Sequence, residues 1–222
     1  MDIDVKLRFA KGYIADPYWP AMERVINIQK ESGMNRVRSE ERRGQALSQY
    51  LVGKGMSREQ YDNLIVLSNR PFYTWADVLS AGAMNGQNPE EIVVPAHQMY
   101  GALAEGSRWA AKATRLSSPE QVRTILQVSD FATGKTAPDG EWERFVVVKG
   151  GAGNTLSNQR SLRVDPYIEQ VTAAGRLHFS GQLEEAPDRV LNFLRYVGSE
   201  IGVGAARKMG WGRFTIEEWT QA

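Results

Sequence analysis

The sequence predicts an α+β fold, and three observations carry that prediction. Ile3, Val5, Leu7 and Phe9 alternate with Asp4, Lys6 and Arg8, the period-2 pattern of a half-buried strand. Residues 95–113 and 186–199 carry helical patterning, and strand-like runs lie between them. The segment 213–219 then reads as a closing strand. The chain has 222 residues, 42% hydrophobic and 24% charged, enough for one sizeable domain or a small one with a large insertion. A formal net charge of +1 excludes a histone-like polycation but is compatible with a local basic patch. With no cysteine there is neither a disulfide nor a thiolate metal site. No apolar run reaches the roughly 18 residues of a membrane span. The acidic, alternating start is unlike a signal peptide, so a cytoplasmic protein without membrane contact is expected.

After the first strand the texture changes. Residues 11–88 carry several short helical patterns separated by glycine-containing breaks and read as an insertion into the domain. Pro20 can start a helix through Ile28. Ser57 with Gln60 fits a capping box ahead of Leu64, Ile65 and Leu67. Thr74 can cap a short helix through Leu79. Arg36, Arg38, Arg42 and Arg43 lie here beside Glu40 and Glu41. They are candidates to face RNA, although a solvated helix face would read the same way.

Ile92, Val93 and Val94 form a short apolar run, and Pro95 suits the first position of the next helix. His97 and Gln98 fall in its first turn, where free N–H groups and the helix dipole favour a phosphate. Met99, Leu103 and Ala110 mark its core stripe. Residues 122–128 read as a strand, 131–140 as a loop, 142–149 as a strand and 150–158 as a glycine-rich loop. The run 160–171 has strand character interrupted at Asp165-Pro166, Gly175 reads as a turn, and a strand follows through Leu177 and Phe179.

Between the last helix and the closing strand lies the most informative stretch, Gly202-Val203-Gly204-Ala205-Ala206-Arg207-Lys208-Met209-Gly210-Trp211-Gly212. Its glycines allow positive φ and close approach to a ligand, and Arg207 and Lys208 suit phosphate. A Rossmann or Walker loop would sit between a strand and the helix it opens, and neither the order nor the spacing fits here. Without the insertion, the element order is compatible with a ferredoxin-like or RRM-like domain, βαββαβ with embellishments. Such sheets often bind single-stranded RNA on an open face through aromatics and backbone contacts.

Three segments resemble the RAMP superfamily of CRISPR-associated RNA-binding proteins. The paired Gly-x-Gly loop at 202–212 is similar to its terminal signature. Val94-Pro95-Ala96-His97-Gln98-Met99-Tyr100-Gly101-Ala102-Leu103 resembles its helix start, with His97-Gln98 in place of a serine pair and Tyr100 in place of a basic residue. Residues 168–179 resemble a strand pair of the backbone subunits that line guide RNA. The resemblance implies one RRM-like domain over 1–222, with 11–88 as a thumb- or palm-like elaboration. It also implies a backbone subunit that holds the guide's sugar–phosphate chain and leaves bases free for target pairing. Expected partners are guide RNA (crRNA), target nucleic acid, copies of itself in a helical filament and other effector subunits, with no cofactor. RNA contacts are expected at His97, Gln98, Gly202, Gly204, Arg207, Lys208, Gly210 and Gly212, with Arg36, Arg38, Arg42 and Arg43 as further contacts.

The same superfamily includes metal-independent endoribonucleases that process precursor crRNA. That chemistry needs a general base, commonly His, with a group to steady the phosphate. Only His97 and His178 exist, and neither follows the first strand, where the processing enzymes commonly hold theirs. Asp16, before Pro17, is the nearest candidate for metal-dependent cleavage of a target. A non-catalytic RNA-binding subunit is therefore the preferred reading.

Overall fold

The structure, a computed structural model, describes residues 1–15, 19–79, 81–114, 126–149, 158–184 and 187–222. Along the chain run β1 (Asp2–Arg8), α1 (Trp19–Glu31), α2 (Glu40–Gly53), α3 (Arg58–Ser68), β2 (Tyr73–Thr74) and α4 (Trp75–Val78). Then follow β3 (Ile92–Val94), α5 (Ala96–Thr114), β4 (Leu126–Val128), β5 (Phe131–Ala132), β6 (Gly140–Lys149), β7 (Asn158–Tyr167), β8 (Thr172–Phe179), α6 (Pro187–Tyr196) and β9 (Thr215–Gln221). The fold is α+β, helices with antiparallel sheet. It divides into two compact units, one of Met1–Ala15 with Tyr73–Ala222 and one of Asp16–Phe72.

The larger unit is built on a sheet of order β2-β3-β5-β8-β1-β9, with β4 also paired to β8. β1 lies between β8 and β9, antiparallel to both. Its alternation works as the sequence predicts: Ile3, Val5 and Leu7 are buried, whereas Asp2, Asp4 and Arg8 are exposed. Full burial of such a side chain contributes about 1.5–3 kcal/mol, which explains why β1 keeps its register. Met99 and Leu103 of α5 and Val190, Phe193 and Leu194 of α6 are buried as well. α5 approaches the end of α6 closely at Gly106, where a Cβ would stand 2.6 Å from Val197.

Three readings of the sequence are corrected here. Gly175 is not a turn but the middle of β8, opposite Val5. It is glycine because a Cβ would lie 2.7 Å from the ring of Phe131, which fills that space. Nor does Pro166 interrupt its strand: β7 runs through it, opposite Glu141 of β6. β6 and β7 form a separate two-stranded sheet in which both strands are edges, so a missing N–H is tolerated. Phe131 and Ala132, expected in a loop, pair with Val94 and Val93 of β3. Residues 122–125, Ala110's side chain and the loop 150–157 lie outside what the structure describes.

The smaller unit is helical. Ile28 of α1, Leu47 and Leu51 of α2 and Tyr61 of α3 form its core, with Met34, Tyr50, Met56, Leu64 and Ile65 packed around them. The predicted capping box is present at α3: Ser57 Oγ accepts from Gln60 N, and Gln60 Oε1 accepts from Ser57 N. A second box, Thr74 with Asp77, opens α4 in the larger unit.

Candidate nucleic-acid interface

The glycine loop follows α6 through a π-helical turn, Val197–Ile201. All four signature glycines have positive φ: Gly202 76°, Gly204 79°, Gly210 87° and Gly212 67°. The main-chain donors of Gly202, Gly210 and Gly212, however, are spent inside the protein. Gly202 N donates to Val197 O, Val203 N to Gly212 O, Ala205 N to Ile14 O, Gly210 N to Arg207 O and Gly212 N to Gly12 O, at 2.8–3.0 Å. The loop is thus zipped onto the segment after β1. A Cβ at Gly204 would overlap the Ile14 carbonyl oxygen, and one at Gly212 the Val203 carbonyl oxygen. These glycines are required for close backbone packing, and the expected cradle of free N–H groups at Gly202, Gly210 and Gly212 is not what they form.

What the loop presents outward is side chains. Lys208 is exposed. Arg207 is half-buried, and its Nη1 donates to Glu105 Oε2 of α5 at 2.7 Å. Arg213 turns back onto the main chain, donating to Ser199 O and Arg207 O. Lys11, just after β1, donates from Nζ to Met209 O at 2.9 Å.

The start of α5 also differs from expectation. Ala96 N donates to Asp130 Oδ1 at 2.7 Å, and Gln98 N and Met99 N fold onto Pro95 O. A carboxylate already satisfies this helix end, so its dipole is offset before any phosphate arrives. Gln98 is buried, and its Oε1 accepts from Tyr13 Oη at 2.6 Å. It serves the interior beneath the loop. His97 is exposed, its ring edge-on to Tyr73 at 5.0 Å between centroids.

Arg36, Arg38, Arg42 and Arg43 belong to the smaller unit and are all exposed. Arg43 Nε donates to Val37 O, anchoring the turn before α2.

The outward face of the β1–β8–β9 sheet is laced with ion pairs in place of aromatics. Arg176 pairs with Asp4 at 2.8 Å, His178 Nδ1 lies 2.7 Å from Asp2, and Lys6 pairs with Glu218 at 3.1 Å. Hydrogen bonding from His178 lowers the Asp2 pKa, while Asp4 raises that of Arg176 and Glu218 that of Lys6. Arg176 and Lys6 are thus held by carboxylates that would repel phosphate. Trp219 is half-buried and stacks near Phe179, opposite Val5 in register. An aromatic platform of the RRM kind is absent from the described residues of this face.

Sequence reasoning missed an aromatic–cation cluster at the root of the β6–β7 hairpin. Trp142 and Tyr167 pack on Trp211 of the glycine loop, with ring centroids 5.7 and 5.0 Å away. Lys11 Nζ sits 4.8 Å from the Trp211 centroid and 5.6 Å from that of Trp142. Asp165, buried, accepts from Arg144 Nε at 2.6 Å and Arg163 Nε at 2.5 Å. The available signal was the alternation Trp142/Arg144 and Arg163/Asp165, which puts all four on one face of a hairpin. Among the described residues no three His, Asp or Glu side chains converge as a metal site, and no helix is long and apolar enough to cross a membrane. Asp16 lies outside the described residues.

No protein-family model matches the chain, and no curated protein matches it. Among solved structures it is similar to a chain of "Cryo-EM structure of the Type III-B Cmr-beta bound to cognate target RNA", with a TM-score of 0.49 and 10% identity. The match covers 98% of this chain, which spans only 59% of the length of that one.

Proposed function

We propose that this protein is a non-catalytic, cytoplasmic RNA-binding subunit of the RAMP kind, holding the sugar–phosphate backbone of a CRISPR guide RNA and leaving its bases open to a target. On this reading the core is a ferredoxin-like domain, and residues 11–88, centred on the helical unit Asp16–Phe72, are its insertion. Further copies of the chain and other effector subunits continue the assembly along the guide.

One observation carries the reading. The loop with the RAMP-like glycine signature joins the second long helix of the larger unit to its closing strand, and it is zipped onto the segment that follows β1. The sheet order β9-β1-β8-β4, with α5 and α6 as the crossing helices, is the order a βαββαβ domain would have. The signature glycines shape this loop, and Lys208, Lys11 and, once released from Glu105, Arg207 meet the RNA. His97 and the arginines Arg36, Arg38, Arg42 and Arg43 supply further contacts. Such contacts, made to phosphate by flexible cations, favour affinity over base readout.

Light scattering of the protein mixed with single-stranded RNAs of increasing length tests this. The number of protein copies per RNA should rise in whole steps with length and be insensitive to base sequence. A fixed 1:1 complex at all lengths, or cleavage of a repeat hairpin, would replace the reading with a processing nuclease.

A further inference from the structure

The cluster at the root of the β6–β7 hairpin remains to be explained. Trp142 and Arg144 on β6 lie opposite Asp165 and Arg163 on β7, so all four project from one face. Trp211 closes the base of that face and is buried, with no acceptor for its Nε1 among the described residues. Trp142 is half-buried. Lys11 and Arg144 stand 5.6 and 5.5 Å from its centroid, near the roughly 6 Å limit of a cation–π contact.

Among the described residues, Arg144 and Arg163 share one carboxylate, that of Asp165, and Lys11 is held by a carbonyl oxygen and two indole rings. Arg163 is the more open guanidinium, its side chain 39% exposed against 17% for Arg144. A buried carboxylate can fix the orientation of both guanidinium groups while leaving an unneutralised positive charge at the surface. Every base has a π-face that can stack on an indole, and a neighbouring cation suits the phosphate attached to it.

The geometry points to a nucleotide-binding subsite for single-stranded RNA, with a base stacked on Trp142 and the adjoining phosphate held by Arg163 and Lys11. This rests on the proposed RNA-binding function and adds to it a base contact without sequence preference. Asp165 is the positioning residue that holds both arginines.

The test is fluorescence anisotropy with labelled oligouridine and with an abasic strand of equal length, on the full chain. W142A should weaken oligouridine about tenfold, within the usual range for one lost base–aromatic stack, and leave the abasic strand unchanged. W142F should stay within about threefold of the parent and serves if the alanine variant misfolds. R163Q should weaken both strands and lower the salt slope by about 0.7, one counterion's worth on single-stranded RNA. If the parent binds oligouridine but W142A binds as well as it does, or loses both strands equally, the subsite is refuted and the RNA-binding function stands. If the parent binds neither strand, both fall together.

Discussion

Gly210 and Gly212 have nearly the same left-handed backbone, φ 87° and 67°, yet very different surroundings. A Cβ at Gly210 would find Lys11 Cδ at 3.7 Å and nothing nearer, whereas one at Gly212 would overlap the carbonyl oxygen of Val203. G210A therefore costs only the left-handed strain, about 1–2 kcal/mol. G212A adds overpacking of about 1–3 kcal/mol. It also disturbs two hydrogen bonds, Val203 N to Gly212 O and Gly212 N to Gly12 O, each worth about 1 kcal/mol. The expected cost is about 5 kcal/mol. At about 2–4 °C per kcal/mol for a chain of this size, G210A should lower Tm by about 4 °C and G212A by 10 °C or more. Tryptophan emission is a suitable probe, since Trp75, Trp109, Trp142, Trp211 and Trp219 belong to the larger unit and only Trp19 to the smaller. If the two variants melt within about 2 °C of each other, the loop is not zipped onto the β1 segment as described.

Four further outcomes are expected. E105Q releases Arg207 from its half-exposed ion pair, so stability should change by less than about 1 kcal/mol while RNA affinity measured by anisotropy rises two- to threefold. L51A empties a site in the core of the helical unit and should cost about 2–5 kcal/mol, read as loss of amide-exchange protection in α1–α3. S57A removes the α3 cap and should cost about 1 kcal/mol in urea unfolding. The Asp139 pKa is lowered by the Lys135 ammonium and then by the Glu169 N–H. The stabilisation it contributes is present above its ordinary 3.8 and is lost as pH falls through the lowered folded value. D139N should accordingly be less stable than the parent at neutral pH, by about 0.5 kcal/mol for this half-exposed pair, and equal to it in strong acid.

The parts of the fold that were legible in the sequence are those set by local pattern. β1 declared itself by alternation, α5 by Pro95 and its apolar stripe, and α3 by Ser57 and Gln60. The glycine loop could be located but its chemistry could not. Whether a loop N–H is free depends on partners such as Gly12 and Ile14, some 190 residues away in sequence. The start of α5 failed for the same reason, since the carboxylate that caps it, Asp130, belongs to another element. Gly175 looked like a turn because glycine's commonest local meaning is flexibility, whereas here it makes room for the ring of Phe131. The site at Trp142 was legible only in part: alternation puts Trp142 and Arg144 on one face of β6, but no local rule joins that face to β7, Lys11 and Trp211.

The most direct test of the central claim is the nucleic-acid content of the protein as purified, read as the absorbance ratio at 260 and 280 nm with and without nuclease treatment. Size-exclusion light scattering should accompany it. An RNA-binding backbone subunit should co-purify with RNA of graded length in multimers that nuclease shortens or disperses. A nucleic-acid-free monomer that fails to take up added single-stranded RNA would contradict it.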